Sequence, residues 1–317
     1  MLGREEWNFH RKRDTGPRCN WWPNGHRKKQ MTKLSELFKT KRVLSFELFP
    51  PKTEKGEAAL YRHVEALLKF TPDFFTCTYG AGGSTQQKTL EILGHVKQKF
   101  DIPVVSHLTC VGSTVDQLRE YLAKAKSQSV DAIMALRGDP PKGEDKFVAP
   151  EGGLAYANEL VELITGEFHN FGVMVAGYPE KHLEAPSLDV DLDNLKRKVD
   201  AGADAIVTQL FYDNADFYRF RDQCEAKGIT TPVVPGLLPV TSLSQIQRIT
   251  DLCGAKLPSN FVAVLESDSS EIGQFKAGVD HAVAQTADLI ANDVAGLHYY
   301  VLNKSDATTK ILEQISL

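Results

Sequence analysis

Ser45-Phe46-Glu47-Leu48-Phe49-Pro50-Pro51 follows directly on Val43 and Leu44, and together these residues form an almost continuous apolar run ended by a proline pair. A run of this kind suits a strand buried on both faces, as in a parallel sheet covered by helices. The prolines stop it because they cannot donate to a ladder. Glu47 is the only charge inside the run. A carboxylate in an apolar strand is costly unless it is paired. Two readings of Glu47 stay open on this ground: a satisfied structural ion, or a proton donor whose pKa is raised by burial.

Outward from this strand the chain alternates short β-rich runs with amphipathic stretches. A helix near 57–69 comes next, where Ala59, Leu60, Val64, Leu67 and Leu68 keep helical spacing. The same pairing recurs at 73–79 with 85–99, at 104–110 with 114–127, at 132–136 with 153–165, and at 172–176 with 188–201. It continues at 205–211 with 213–227, at 232–237 with 242–252, and at 297–302 with a short terminal helix; a further helical stretch lies near 269–292. Thr114-Val115-Asp116-Gln117 resembles a capped helix start. Eight strands, each followed by helix and without a linker or a shift of composition, predict an α/β fold, a (β/α)8 TIM-type barrel forming a single domain over residues 31–317.

An open doubly wound sheet is the alternative. It is disfavoured because no strand carries a clean dinucleotide fingerprint. Gly80-Ala81-Gly82-Gly83-Ser84-Thr85 follows a strand but has Thr where the third Gly belongs. Gly138-Asp139-Pro140-Pro141-Lys142-Gly143-Glu144 has P-loop glycine spacing without the Lys and Ser/Thr that handle phosphate and metal. Both read as tight turns from strand to helix.

The 317 residues, 42% hydrophobic and 25% charged, are globular in composition and sufficient for a large core. A net charge of -4 exerts no global pull toward nucleic acid or an anionic membrane, and no apolar run approaches the roughly 20 residues of a membrane-spanning helix. The five cysteines, at 19, 77, 110, 224 and 253, are scattered without CxxC or zinc-like spacing. They read as reduced thiols of a cytoplasmic protein, and no metal site is expected. Residues 1–30 differ from the rest: Trp7, Trp21 and Trp22 lie among Arg11-Lys12-Arg13 and Arg27-Lys28-Lys29 with no apolar periodicity. They read as a disordered or non-native leader rather than a secretory signal or a nucleic-acid arm, and Met31 is a plausible start of the barrel chain.

In such a barrel, function collects at the C-terminal ends of the strands. Those ends carry Glu47; Thr78 and Tyr79; His107 and Thr109; Arg137 and Asp139; and Tyr178, Glu180 and His182. The last three strands add Gln209, the backbone of Gly236 and Pro239, and then Tyr299, Tyr300 and Asn303. Each residue has a plainer role open to it: His107 bonded to a carbonyl, Asp139 capping a proline turn with Arg137 as its ion partner, Arg197 and Lys198 on a solvated helix face. Together they describe an aromatic, amide and acid/base mouth suited to a large flat organic ligand.

With those residues in view, the sequence closely resembles the methylenetetrahydrofolate reductases in their bacterial flavoprotein form. The matching words are SFELFPPK at 45–52, TCTYGAGGS at 76–84, SHLTC at 106–110, ALRGDPP at 135–141 and AGYPEKH at 176–182. DLDNLKRKVDAGAD at 191–204, TQLFYD at 208–213, PGLLPV at 235–240 and HYYVLN at 298–303 complete the series in order. The resemblance implies FAD as cofactor and NADH or NADPH as electron donor. It implies reduction of 5,10-methylenetetrahydrofolate to 5-methyltetrahydrofolate by ping-pong hydride transfer, supplying methyl groups for methionine synthesis. A homo-oligomer is expected, with no nucleic-acid or membrane partner. No long extension follows the barrel, so no S-adenosylmethionine-binding regulatory domain is expected.

Carried over residue by residue, the resemblance makes Glu47 the general acid and Asp139 the second catalytic acid, near flavin and pterin. It assigns Glu47, Gln209 and Tyr300 to the substrate. Thr78, Tyr79, His107, Arg137, Asp139, Tyr178, His182, Asn194, Arg197 and Lys198 would line the FAD, with Arg197 and Lys198 as a cation pair for its phosphates. The segment 257–266 matches the family poorly and receives no assignment.

Overall fold

Alternation along β1 (Val43–Leu48) sets the two layers of the core. Leu44, Phe46 and Leu48 point outward into one apolar cluster, while Val43 joins an inner cluster on the face that also carries Ser45 and Glu47. The computed structural model describes residues 34–79, 86–140, 143 and 146–315. The leader 1–30, Met31, the glycine loop 80–85, and Pro141, Lys142 and Glu144 lie outside the described residues.

The remaining strands are β2 (Phe74–Cys77), β3 (Val104–Thr109), β4 (Ala132–Leu136), β5 (Gly172–Gly177), β6 (Ala205–Thr208), β7 (Val233–Val234), β8 (Gly236–Leu237) and β9 (Gly296–Tyr300). All pair in parallel, in the order β7-β6-β5-β4-β3-β2-β1-β9-β8. The expected seventh strand at 232–237 is therefore two short segments. Pro235 separates them because it has no N–H to offer; its carbonyl still accepts from His298 N at 3.1 Å. β7 pairs with β6 and β8 pairs with β9, so the broken strand joins the two ends of the sheet and closes the (β/α)8 barrel.

The helices are α1 (Leu34–Thr40), α2 (Glu54–Leu68), α3 (Gln86–Phe100), α4 (Val115–Ser127), α5 (Ala157–Glu167), α6 (Leu188–Asp200), α7 (Asn214–Ala226), α8 (Leu243–Cys253), α9 (Ser259–Ser267), α10 (Glu271–Ala291) and α11 (Asp306–Leu312). α4 has the expected capping box: Thr114 Oγ1 accepts from Gln117 N at 3.3 Å, and Gln117 Oε1 accepts from Thr114 N at 2.8 Å. α9 was not anticipated; it falls on the segment 257–266, which matches the family poorly and received no assignment. Leu34 of α1 packs with Val43, Phe74, Val105, Met134, Met174, Val207 and Val234 in the inner cluster, at the end of the barrel opposite the strand exits. Among the described residues, Cys77, Cys110, Cys224 and Cys253 are free thiols, and no helix is long and apolar enough to cross a membrane.

α10 lies against the chain just beyond β8, and Gly278 makes that possible. A Cβ there would meet the carbonyl oxygen of Val240 at 1.9 Å. Gly278→Ala would gain about 1 kcal/mol of helix propensity, but overpacking against backbone costs ~1–3 kcal/mol or more. Backbone yields less readily than a side chain, so net destabilisation is expected. Urea melts should show a lower midpoint with an unchanged slope; an unchanged or higher midpoint would contradict it.

Candidate active site

Glu47 sits where the inner face of β1 reaches the strand exits, in register with Thr76 of β2 and Tyr300 of β9. Its neighbours are imidazoles. His107 Nε2 of β3 lies 3.3 Å and His298 Nε2 of β9 3.6 Å from the same carboxylate oxygen, Oε2. Both are ion-pair contacts, and neither nitrogen is placed for a hydrogen bond to any described atom. His298 is fully buried, and its Nδ1 is 2.8 Å from Ser45 Oγ. Burial acts to raise the Glu47 carboxyl, but the charges and hydrogen-bonding capacity of His107 and then His298 outweigh it and hold the group at about 2. The expectation that an apolar strand keeps Glu47 protonated is thereby corrected: residues from β3 and β9, remote in sequence, reverse the effect of burial.

Above this cluster opens a cleft of about 480 Å³, within the usual range of organic-ligand pockets. Glu47, Thr78, Tyr79, His107, Thr109, Arg137, Asp139, Tyr178, His182, Gln209 and Tyr300 line it, with Met134, Leu136 and Ile249 as apolar wall. Of the residues singled out in the sequence for catalysis or binding, all but Asn194, Arg197 and Lys198 line this one cleft.

Local structure places each of them. Tyr79 Oη is 3.0 Å from Thr109 Oγ1 and accepts from Thr109 N at 2.5 Å, which ties the exits of β2 and β3. Gly138 has φ +88, and a Cβ there would lie 2.6 Å from Val111, so only glycine makes the turn that sets Asp139 exposed at the rim. Tyr300 donates to Thr208 O at 2.7 Å and sets its ring edge-on to His298. Gln209 lines the cleft, and its Oε1 accepts from Leu210 N at 2.9 Å. Burial first, and the Asp139 charge second, raise the Tyr178 phenol, so it stays a neutral donor.

Arg137 does not pair with Asp139. Its guanidinium makes a two-point bridge to Glu184, at 2.7 and 2.5 Å, and stacks over Phe147. Glu184 N donates to His182 Nδ1 at 3.1 Å, which fixes the neutral ring with its proton on Nε2. Glu180 accepts from Lys256 N at 3.2 and 3.0 Å and anchors the segment after α8 rather than entering the cleft. On α6 the two cations part. Arg197 and Asn194 are exposed and meet each other at 3.4 Å. Lys198 is half-buried and donates to Ala176 O at 2.5 Å, at the cleft wall. Burial lowers its ammonium to about 8, with Asp191 partly opposing. Sequence reasoning missed His298 and Ser45; the available signal was their place on the same inward faces as Tyr300 and Glu47.

A closed parallel barrel, with acid and imidazoles beneath an aromatic cleft at its C-terminal face, defines a protein of the (β/α)8 class. The sequence profile of the methylenetetrahydrofolate reductase family matches residues 30–316. Methylenetetrahydrofolate reductase (NADH) 1 of Arabidopsis thaliana is 39% identical over 286 residues, 87% of this chain and 48% of that protein. The 5,10-methylenetetrahydrofolate reductase of Escherichia coli K12 is 35% identical over 276 residues, 86% of this chain and 90% of that protein. The chain belongs to the methylenetetrahydrofolate reductase family. It spans about half the length of the plant relative and most of the bacterial one. Among solved structures, an uncharacterized protein from Clostridium thermocellum described as binding two copies of 5-methyl-5,6,7,8-tetrahydrofolic acid aligns with TM-score 0.60 and 13% identity. The alignment covers 88% of this chain and 95% of that one, and shows a shared fold.

Proposed function

We propose that the chain reduces 5,10-methylenetetrahydrofolate to 5-methyltetrahydrofolate, with NADH or NADPH as donor and FAD as resident cofactor. The observation that carries the reading is the Glu47–His107–His298 cluster at the floor of a cleft large enough for a flat organic ligand.

The chemistry of the cleft fits a flavin dinucleotide. Tyr79 and Tyr178 offer ring surfaces, Thr78, His107 and His182 offer polar edges, Arg137 offers positive charge in the cleft, and Lys198, behind the cleft wall at Ala176, offers a second positive charge for phosphates. Among the described residues Lys198 has a carbonyl for its hydrogen-bond acceptor and no carboxylate in contact, so an anion there would improve its surroundings. FAD, when bound, supplies a carrier that accepts two electrons from one substrate and gives them to the next, which makes the kinetics ping-pong.

The chain's own part is proton supply and charge placement. With its carboxyl at about 2, Glu47 is an anion in the open site. Bound folate expels water from the cleft, which deepens the burial that favours neutral Glu47. The carboxyl then protonates N10 of the folate and opens the five-membered ring, and His107 and His298 restore the proton. Asp139, exposed at the rim, places negative charge where the substrate becomes cationic. Gln209 presents its amide to the pterin edge, and Tyr300 offers its ring.

The test is direct. Purified protein should show flavin absorbance, oxidise NADH or NADPH with menadione as acceptor, and convert methylenetetrahydrofolate. A colourless protein that binds no added FAD, yet binds folate, would point to a barrel methyltransferase and sink the reading.

A further inference from the structure

The ladder of β1 cannot run on past Phe49, because Pro50 and Pro51 have no N–H. Phe49 keeps an N–H and a carbonyl, and it is 41% exposed at the surface. Asn303 takes both groups. Phe49 N donates to Asn303 Oδ1 at 2.9 Å, and Asn303 Nδ2 donates to Phe49 O at 2.5 Å. The side-chain amide thus imitates the paired bonds of a neighbouring strand.

The amide reaches that place because Leu302 and Asn303 have φ of 46 and 56. Asn tolerates this left-handed conformation, but Leu adopts it at a cost, so surrounding contacts must hold the turn in place. Glu47 lies two residues before the clamped position. Its backbone is fixed by ladder partners Thr76 and Tyr300 on either side; beyond it Leu48 O still accepts from Thr78 N at 3.1 Å, and past Leu48 the strand end is held at Phe49 by the Asn303 amide. Without the clamp the exposed strand exit would fray by solvating its end groups.

We propose that Asn303 is a positioning residue for Glu47, fastening the exit of β1 so that the carboxyl stays between His107 and His298 under the cleft. The inference rests on the reading of Glu47 as proton donor. It adds a residue that touches neither ligand.

Asn303→Gly is the variant of choice, since glycine accepts the left-handed turn without strain and only the amide is lost. In the flavin-loaded protein, NADH oxidation by menadione should stay within about twofold, because no proton from Glu47 enters that half. Folate turnover should fall about 10-fold in kcat, as 1 Å misplacements in active sites cost up to roughly 10²-fold. Loosened imidazole contact should also raise the Glu47 pKa and so move the alkaline limb of its pH profile upward. In a Glu47→Gln background the Asn303 change should add nothing to the folate step, since it acts through that carboxyl. Should Asn303→Gly fail to fold, Asn303→Asp keeps the acceptor for Phe49 N and undergoes the same measurements. A lower melting temperature with an unmoved pH profile, equal losses in both halves, or additivity with Glu47→Gln would overturn the proposal. Wild-type protein without folate turnover would overturn the reading of the function instead.

Discussion

Glu47→Gln should abolish most folate turnover and leave the nicotinamide half intact. General acid catalysis contributes about 10²- to 10⁴-fold, and the amide keeps the shape of the carboxyl while removing the transferable proton. Flavin content and NADH oxidation by menadione should stay near wild type. Stopped-flow measurement of the two half-reactions separates these outcomes, and normal folate reduction in the variant would remove the acid role. A stability signature accompanies the kinetic one. The Glu47 pKa is lowered from 4.5 to about 2 in the folded chain, so its stabilising contribution is present above about 4.5 and fades as pH falls through 2. Acid unfolding of the wild type should contain that component, and the Gln variant should lack it.

Lys198→Met should weaken FAD binding by roughly 10- to 100-fold, the worth of one charge-assisted hydrogen bond at about 1.5–3 kcal/mol. The same residue predicts a pH dependence. Its ammonium titrates at about 8 in the ligand-free chain, so FAD affinity of the wild type should decline as pH rises through that value, while the Met variant should show a flatter profile. Linkage gives the opposite sign for the empty protein. A base with a lowered folded pKa destabilises the fold while charged, so apo stability should recover as pH climbs from about 8 toward the ordinary lysine value of 10.5. Fluorescence titration of apoprotein with FAD reads the first effect and thermal melts the second. Equal FAD affinity in the two proteins would assign the phosphates elsewhere.

Strand and helix alternation was legible because parallel strands covered on both faces leave dense apolar runs between amphipathic stretches. The convergence of Glu47, His107, Arg137, Asp139, Gln209 and Tyr300 was legible too, because a barrel sends every strand exit to one face. What stayed hidden depends on contacts between distant residues. In the run around Glu47, inward and outward positions look alike, and only the closed barrel separates Val43 and Ser45 from Leu44 and Phe46. The direction of the Glu47 shift rests on His107 first and then His298, which come from β3 and the last strand. Arg137 choosing Glu184 over its near neighbour Asp139 is decided by the path of the loop after β5. The break at Pro235 was readable in principle, since a residue without N–H cannot serve a ladder on both sides.

The seam between β1 and β9 has a temporal consequence. Ser45 with His298, Phe49 with Asn303, His63 with Ser305 and Lys69 with Glu313 all join residues more than 240 positions apart. Loop closure on that scale comes late and slows folding. On the ribosome, the first strand would wait for its permanent neighbour until nearly the whole barrel had been made. Until then Glu47 would be an acid with one imidazole, and the catalytic cluster would come into being together with the last strand of the barrel.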